Sequence, residues 1–243
     1  MSNEIKAVFL DVGNTLRLVV EDEAFQVKSR QQLVELTGSK LDPDDYVEFL
    51  EERYKVLRKN AKENMVETSE KEMWTQAMLP DLPYEMIAPL SGKLTRLWRD
   101  CDGRRVARAD VTPTVIELYN RGYLLGIIAN TITESEIPDW LEEDGLTDYF
   151  KEVILSSKVG IRKPDPEIYL EAARRIGVDP SRCAYVGDNP VRDIEGAQVA
   201  GYGMMIIIHE PSTLKKYPEP GDFKPDHTIM TLSELLDIFP PRY

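Results

Sequence analysis

The residues able to do chemistry in this chain sit just beyond short apolar runs. Asp11 closes the first run, Ala7 to Leu10, and Asn130 and Thr131 follow a second, Leu124 to Ala129. Lys163 lies in the loop after a third, Val153 to Leu155, and Gly187-Asp188 end a fourth, Ala184 to Val186, with Asp193 shortly after. In open parallel sheets ligands bind outside the carboxyl ends of the strands. A carboxylate, an amide, a lysine and two more carboxylates therefore converge at one edge. Each has an ordinary explanation when taken alone. A lone Asp at a strand end serves a turn or a helix cap, and Asp193, four residues after Asn189, suits the start of a helix through its dipole. Lys163 by itself is an exposed lysine. Their recurrence at successive strand ends of one sheet is what points to a site. Thiol and imidazole chemistry has no comparable support. Cys101 and Cys183 form no CxxC pair and read as two reduced, packed thiols. His209 and His227 lack a ligand partner at the spacing a zinc site needs.

The elements that must hold these residues alternate along the chain. The apolar runs, with a fifth at Met204 to Ile208, are near-continuous, as in strands covered on both faces. Helical patterns separate them. Thr112-Pro113 has the look of an N-cap followed by Pro at the first helical position, with Gly122 at the far end. Asp165-Pro166 opens a helix that runs from Glu167 to Ile176 and stops at Gly177. Asn189-Pro190 opens another that runs toward Ala200-Gly201. This order predicts an α/β fold built on a doubly wound parallel sheet. The strand ending at Asp11 is expected beside the one ending at Gly187, so that Asp11 and Asp188 face each other. Asp188, a solvent-facing carboxylate on this reading, would contribute little to the core.

Residues 19–105 behave differently. Val47, Leu50, Tyr54 and Leu57 recur at helical spacing, as do Ile87, Leu90, Leu94 and Leu97, each series with a charged opposite face. No convincing strand appears there, so the stretch reads as an all-helical insert, residues 19–105, in a core made of residues 1–18 and 106–243. Tyr217 to Pro225 reads as a surface loop before a short strand, His227 to Met230, and a helix, Ser233 to Phe239. The 243 residues carry 30 Lys and Arg against 43 Asp and Glu, a net charge of −13. Such an acidic balance argues against a general nucleic-acid surface, whose affinity rests on neutralising phosphates. No apolar run approaches the length of a membrane span or signal peptide, which predicts a soluble, cytoplasmic protein.

At this point the chain resembles a known family. Asp11-Val12-Gly13-Asn14-Thr15-Leu16 is similar to the first motif of the haloacid dehalogenase-like hydrolases, and Gly126 to Asn130 occupies the place of the second. Lys163-Pro164-Asp165-Pro166-Glu167-Ile168-Tyr169 is similar to the third. Gly187-Asp188-Asn189-Pro190-Val191-Arg192-Asp193, with Gly196-Ala197, is similar to the fourth, and the helical insert resembles the cap many members carry. The resemblance implies a Rossmann-like core and a Mg²⁺-dependent phosphatase in which Asp11 attacks phosphorus and forms an aspartyl-phosphate. Asp11, the Gly13 carbonyl and Asp188 would hold the Mg²⁺, with Asp193 close behind or acting through water. Lys163 would pair with the nucleophile and the phosphoryl group, and Asn14, Thr15 and Asn130 would be further phosphate contacts. The implied partner is a small phosphorylated substrate, bound by a monomer or homodimer with no nucleic acid or membrane involved.

Two positions depart from the family pattern. Gly13 stands where phosphatases carry a second Asp as general acid and base, a role worth about 10²–10⁴-fold in rate. Ala129 stands where Ser or Thr binds a phosphoryl oxygen, a hydrogen bond worth roughly 1.5–3 kcal/mol. Asn130 or Thr131 is placed to replace the second loss in part. The expectation is a phosphatase of reduced or restricted activity, best with leaving groups that need little protonation. Alternatives from other classes stay open. A silent phosphate- or metal-binding module would show the same departures. A dehalogenase tolerates Gly13 but has no need of Asp188 and Asp193. A phosphonate-cleaving enzyme would require a cap lysine such as Lys28, Lys55 or Lys59.

Overall fold

The computed structural model describes residues 4–216 and 224–242. Six parallel strands form the central sheet in the order β5-β4-β1-β6-β7-β8. They are β1 (Ala7–Leu10), β4 (Leu124–Ala129), β5 (Phe150–Leu155), β6 (Cys183–Gly187), β7 (Met204–Ile208) and β8 (His227–Ile229). β1 is central, and its four residues are all buried. Val8 and Leu10 enter the apolar cluster on one face of the sheet, and Ala7 and Phe9 enter the cluster on the other. This two-sided burial explains why the strand sequences are apolar without alternation.

Register decides where the polar residues emerge. Leu10 pairs with Ile127 on one side and with Val186 on the other. The chain therefore leaves β1, β6 and β4 within two residues of one another in register, and the Asp11 amide still donates to the Val186 carbonyl at 2.9 Å. The expected adjacency of the strands before Asp11 and Asp188 is thus present. Caps fix the returning helices. The Asp165 side chain accepts from the Glu167 amide at the start of the helix Pro166–Ile176, which ends at Gly177 with φ 77°. The Asn189 side chain accepts from the Val191 and Arg192 amides, and Pro190 follows it in the first turn.

The expectations differ from the structure in a few places. The insert region is not free of strand: β2 (Arg17–Val20) pairs antiparallel with β3 (Arg104–Ala107), so residues 19 and 105 fall inside a two-stranded ribbon. The ribbon is half exposed and carries arginines, so it lacks the apolar run that betrays a buried strand. The periodic stretch Ile87 to Leu97 is not one helix. It is broken by a 3₁₀ turn, Ala88–Leu90, containing Pro89, which cannot donate a helical hydrogen bond. The helix expected to be capped by Thr112 is capped two residues earlier, with Asp110 as the cap residue of Val111–Asn120; the Asp110 carboxylate accepts from the Ser233 amide at 3.1 Å rather than from its own helix. Residues 217–223 of the expected Tyr217 to Pro225 loop lie outside the described residues.

The inserted helices pack around their own core, which includes Leu33, Leu50, Trp74, Leu94 and Trp98. They meet the sheet domain beside Lys163. Val66 and Ile161 form an antiparallel bridge, and Arg162 pairs with Glu67 at 3.2 Å.

Gly187 is the position where close packing matters most for the site. A Cβ there would collide with the Asp193 carboxylate group. Gly187→Ala is expected to lower stability by about 1–3 kcal/mol, read as a shift of the denaturation midpoint; an unchanged midpoint would show that Asp193 is free to move.

Candidate active site

Lys163 is the hub. It is only 2% exposed, and its ammonium group donates to Asp11 Oδ1 at 2.8 Å, Asp193 Oδ1 at 2.8 Å and the Tyr185 hydroxyl at 2.7 Å. Three donors meet three acceptors, so nothing on the ammonium is left unsatisfied. Tyr185 passes the chain on by donating to the Ile128 carbonyl at 3.0 Å. The Lys163 backbone is held as firmly. Its amide donates to Asn130 Oδ1 and its carbonyl accepts from Asn130 Nδ2, both at 2.8 Å.

Around this lysine stand Asp11, Asp188 and Asp193, all buried, with one carboxylate oxygen from each lying within 4.8 Å of the others. Asp188 is fully enclosed, which corrects the expectation that it faces solvent. The helix Pro211–Lys216 covers it: Thr213 Oγ1 donates to Asp188 Oδ2 and itself accepts from Asn14 Nδ2 at 3.1 Å. Burial, reinforced by Asp193 and Asp11, pushes the Asp188 carboxyl up to about 7. Burial also raises Asp11, against the opposing pull of Lys163. Arg192 comes to 3.7 Å from Asp188 Oδ1, yet that oxygen has no hydrogen-bond partner. Three enclosed carboxylates with one lysine among them leave an excess of negative charge and an orphaned oxygen. Both features suit a hard divalent cation bound through oxygen.

The expected phosphate contacts divide. Thr15 Oγ1 is buried without a hydrogen-bond partner. Asn14, at φ 61°, directs its amide to Thr213 rather than toward the centre of the site. Asn130 commits both polar side-chain atoms to the Lys163 backbone, and so positions the lysine. Thr131 is occupied as well: its hydroxyl accepts from the Thr133 amide at 3.1 Å and its own amide donates to Ser156 at 2.9 Å. Asn130, with both polar atoms committed, therefore does not replace the hydroxyl missing at Ala129. Gly13 lines a cavity of about 120 Å³ shared with Asn130, Thr131 and Ala129. A Cβ on Gly13 would meet nothing within 4 Å, and its backbone is not in the left-handed region.

Two contributors were not legible in the sequence. Tyr185 looks like one more apolar residue of a buried strand, and Thr213 lies on a short helix with no motif around it. Only the finished fold brings them to Lys163 and Asp188.

The haloacid dehalogenase-like hydrolase family matches residues 5–201. The chain belongs to this family of hydrolases and carries an inserted helical region. A glyceraldehyde 3-phosphate phosphatase from Methanopyrus kandleri is 37% identical over 131 residues, 53% of this chain and 54% of that protein. A phosphoserine phosphatase from Thermus thermophilus is 39% identical over 85 residues, 35% of this chain and 34% of that protein. The chain thus spans about half or less of the length of these curated relatives. Among solved structures, a 2-haloacid dehalogenase from Pseudomonas syringae pv. Tomato superposes with a TM-score of 0.71 over 96% of this chain and 97% of its own, at 24% identity. A haloacid dehalogenase-like phosphatase from Thermococcus onnurineus gives 0.62 over 98% and 99%, also at 24% identity. These likenesses show the fold.

Because the carboxylates repel one another without a cation, Asp188→Asn is expected to raise metal-free stability by on the order of 1 kcal/mol and to abolish stabilisation by Mg²⁺. Thermal melts with and without Mg²⁺ check this; a variant stabilised by Mg²⁺ as strongly as the parent would remove Asp188 from the metal site.

Proposed function

We propose that the chain is a Mg²⁺-dependent phosphatase that turns over a small phosphorylated substrate through an aspartyl-phosphate on Asp11. The observation that carries this reading is the buried Lys163 ammonium bonded to Asp11 and Asp193 beside an incompletely satisfied Asp188. Asp11, the Gly13 carbonyl and Asp188 would hold the metal, with Asp193 behind them. Mg²⁺ supplies, when bound, the positive charge that lets an anionic carboxylate approach an anionic phosphoryl group. Lys163 adds fixed positive charge where negative charge develops and holds Asp11 in place. A bond forms from an Asp11 oxygen to phosphorus as the bond to the leaving oxygen breaks, and that oxygen departs with the electron pair. Water then attacks phosphorus, loses its proton to solvent, and releases phosphate and free Asp11. Thr15 would contact the phosphoryl oxygens. Asn14 and Asn130 would support the site through Thr213 and Lys163.

The relatives named for glyceraldehyde 3-phosphate and phosphoserine support a small phosphate ester as the substrate class. On this reading residues 19–105 are the cap that closes over a core of residues 1–18 and 106–243. No helix among the described residues is long and apolar enough to cross a membrane, and the two cysteines are free and buried, which supports work in the cytoplasm.

Gly13 shapes the rate. With no carboxylate to protonate the leaving oxygen, an acyl phosphate, which departs as a stable carboxylate, should be hydrolysed much faster than an alkyl phosphate. The open space at Gly13 invites Gly13→Asp. That variant should fold normally and raise alkyl phosphate turnover by up to about 10²-fold, the lower end for general acid catalysis because placement is imperfect, with a far smaller gain for acetyl phosphate. Steady-state rates on both substrates, with Asp11→Asn as the inactive control, decide the matter. A folded, Mg²⁺-binding Gly13→Asp with no gain on alkyl phosphates would show that the missing acid does not limit this protein. No turnover of either substrate by the parent chain would favour a silent binding module.

A further inference from the structure

The cavity that begins at Gly13 and Asn130 is lined further out by Arg17 on β2, Arg105 on β3 and Arg99 on the helix Ser91–Asp100. The only acidic residue in that lining is Glu136. It is 2% exposed, and all three guanidinium groups converge on it. Arg17 Nη1 lies at 3.0 Å and Arg105 Nε at 3.7 Å, and Arg99 donates through Nε. Although burial opposes ionisation, Arg99, Arg105 and Arg17 hold the Glu136 carboxyl below its usual range, so its charge is present and single. The lining therefore carries three positive charges against one negative.

The neighbouring carboxylates do not close this gap inside the cavity. Asp102 and Asp139 approach Arg105 and Arg96 only at 3.7 Å, with side chains 69% and 50% exposed. Asp100, near Arg96, Arg105 and Arg99, is not part of the lining. Arg17 Nε is buried with no hydrogen-bond partner. Burial and the charge of Arg99 push Arg105 down to about 10, against the opposing pull of Glu136, Asp102 and Asp100. Enclosed cations of this kind are costly unless something pairs with them.

We propose that the leaving group of the substrate carries a second anionic group, a carboxylate or phosphate, received by Arg17, Arg99 and Arg105 while its phosphoryl end meets Asp11. The inference rests on the phosphatase reading of the same cavity and narrows its substrate to small phosphorylated acids or bisphosphates. Guanidinium groups match both anions through paired N–H donors. Because Arg17 and Arg105 belong to the ribbon that carries the inserted helices and Arg99 to one of those helices, such an anion also bridges insert and sheet domain.

Calorimetric affinities in Mg²⁺, for 2-phosphoglycolate against ethyl phosphate, test this without requiring turnover. The first should bind about tenfold or more tightly, the worth of one charge-assisted hydrogen bond. Arg99→Met and Arg105→Met should bring the two within about twofold of each other, by the same arithmetic. Arg96→Met, which alters a cap arginine outside the lining, should preserve the preference, and Arg99→Lys should retain part of it. Ethylene glycol bisphosphate in a third titration distinguishes phosphate from carboxylate recognition. Equal affinities in the parent chain, no binding of any of the three ligands, or a preference undiminished in both Met variants would overturn the inference. Failure of the phosphatase reading would appear separately, as absent acetyl phosphate turnover.

Discussion

One buried ammonium group among three buried carboxylates is the constraint on which the rest of the structure depends. Lys163 can lie 2% exposed because Asp11, Asp193 and Tyr185 take all three of its donors. Asp11 and Asp193 in turn tolerate enclosure because Lys163 is there. Desolvating such charges is repaid only when geometry is good and remaining groups are satisfied. Much of the surrounding architecture meets that demand: the Asn130 clamp on the lysine backbone, the absence of a side chain at Gly187, and Asn189, whose own amide donates to Asp193 Oδ2 at 2.9 Å.

What the lysine leaves undone is as informative. Asp188 stands at the side of the cluster with its carboxyl raised to about 7 by burial and like charge, one oxygen on Thr213 and the other without a hydrogen bond. A fold that keeps an acid in such a place gives up stability at the site, as functional centres commonly do. The departures at Gly13 and Ala129 are of another kind. On the proposed reading they would remove help for the leaving group and for one phosphoryl oxygen, while Asp11, Lys163, Asp188 and Asp193 stay in place.

The strand ends were legible in the sequence because a parallel sheet buried on both faces writes itself as uninterrupted apolar runs, and the polar residue after each run marks the ligand edge. Asp11, Lys163, Asp188 and Asp193 were found that way, and the helix caps at Asp165 and Asn189 came from local hydrogen-bonding rules. The ribbon β2–β3 was missed because its residues are half exposed and include Arg17, Arg104 and Arg105, so no periodicity signals it. The broken helix around Pro89 kept its apolar spacing while losing its backbone continuity. Asn130 is the instructive case: its position at the edge was readable, but its hydrogen bonds to Lys163 depend on a loop 33 residues away. Thr213 and the burial of Asp188 are likewise products of distant packing, which single-residue patterns do not encode.

On the proposed reading Asp11 carries the phosphoryl group during turnover. Transfer from acetyl phosphate needs no acid, and an aspartyl-phosphate is an acyl phosphate that survives an acid quench, so the phosphorylated form should be observable in the steady state. Acid quenching during turnover of labelled acetyl phosphate with Mg²⁺, followed by peptide mass spectrometry, measures it. The account predicts one hydroxylamine-labile phosphate on Asp11, absent from Asp11→Asn. Turnover without a covalent phosphate, or with the label on another residue, would contradict it.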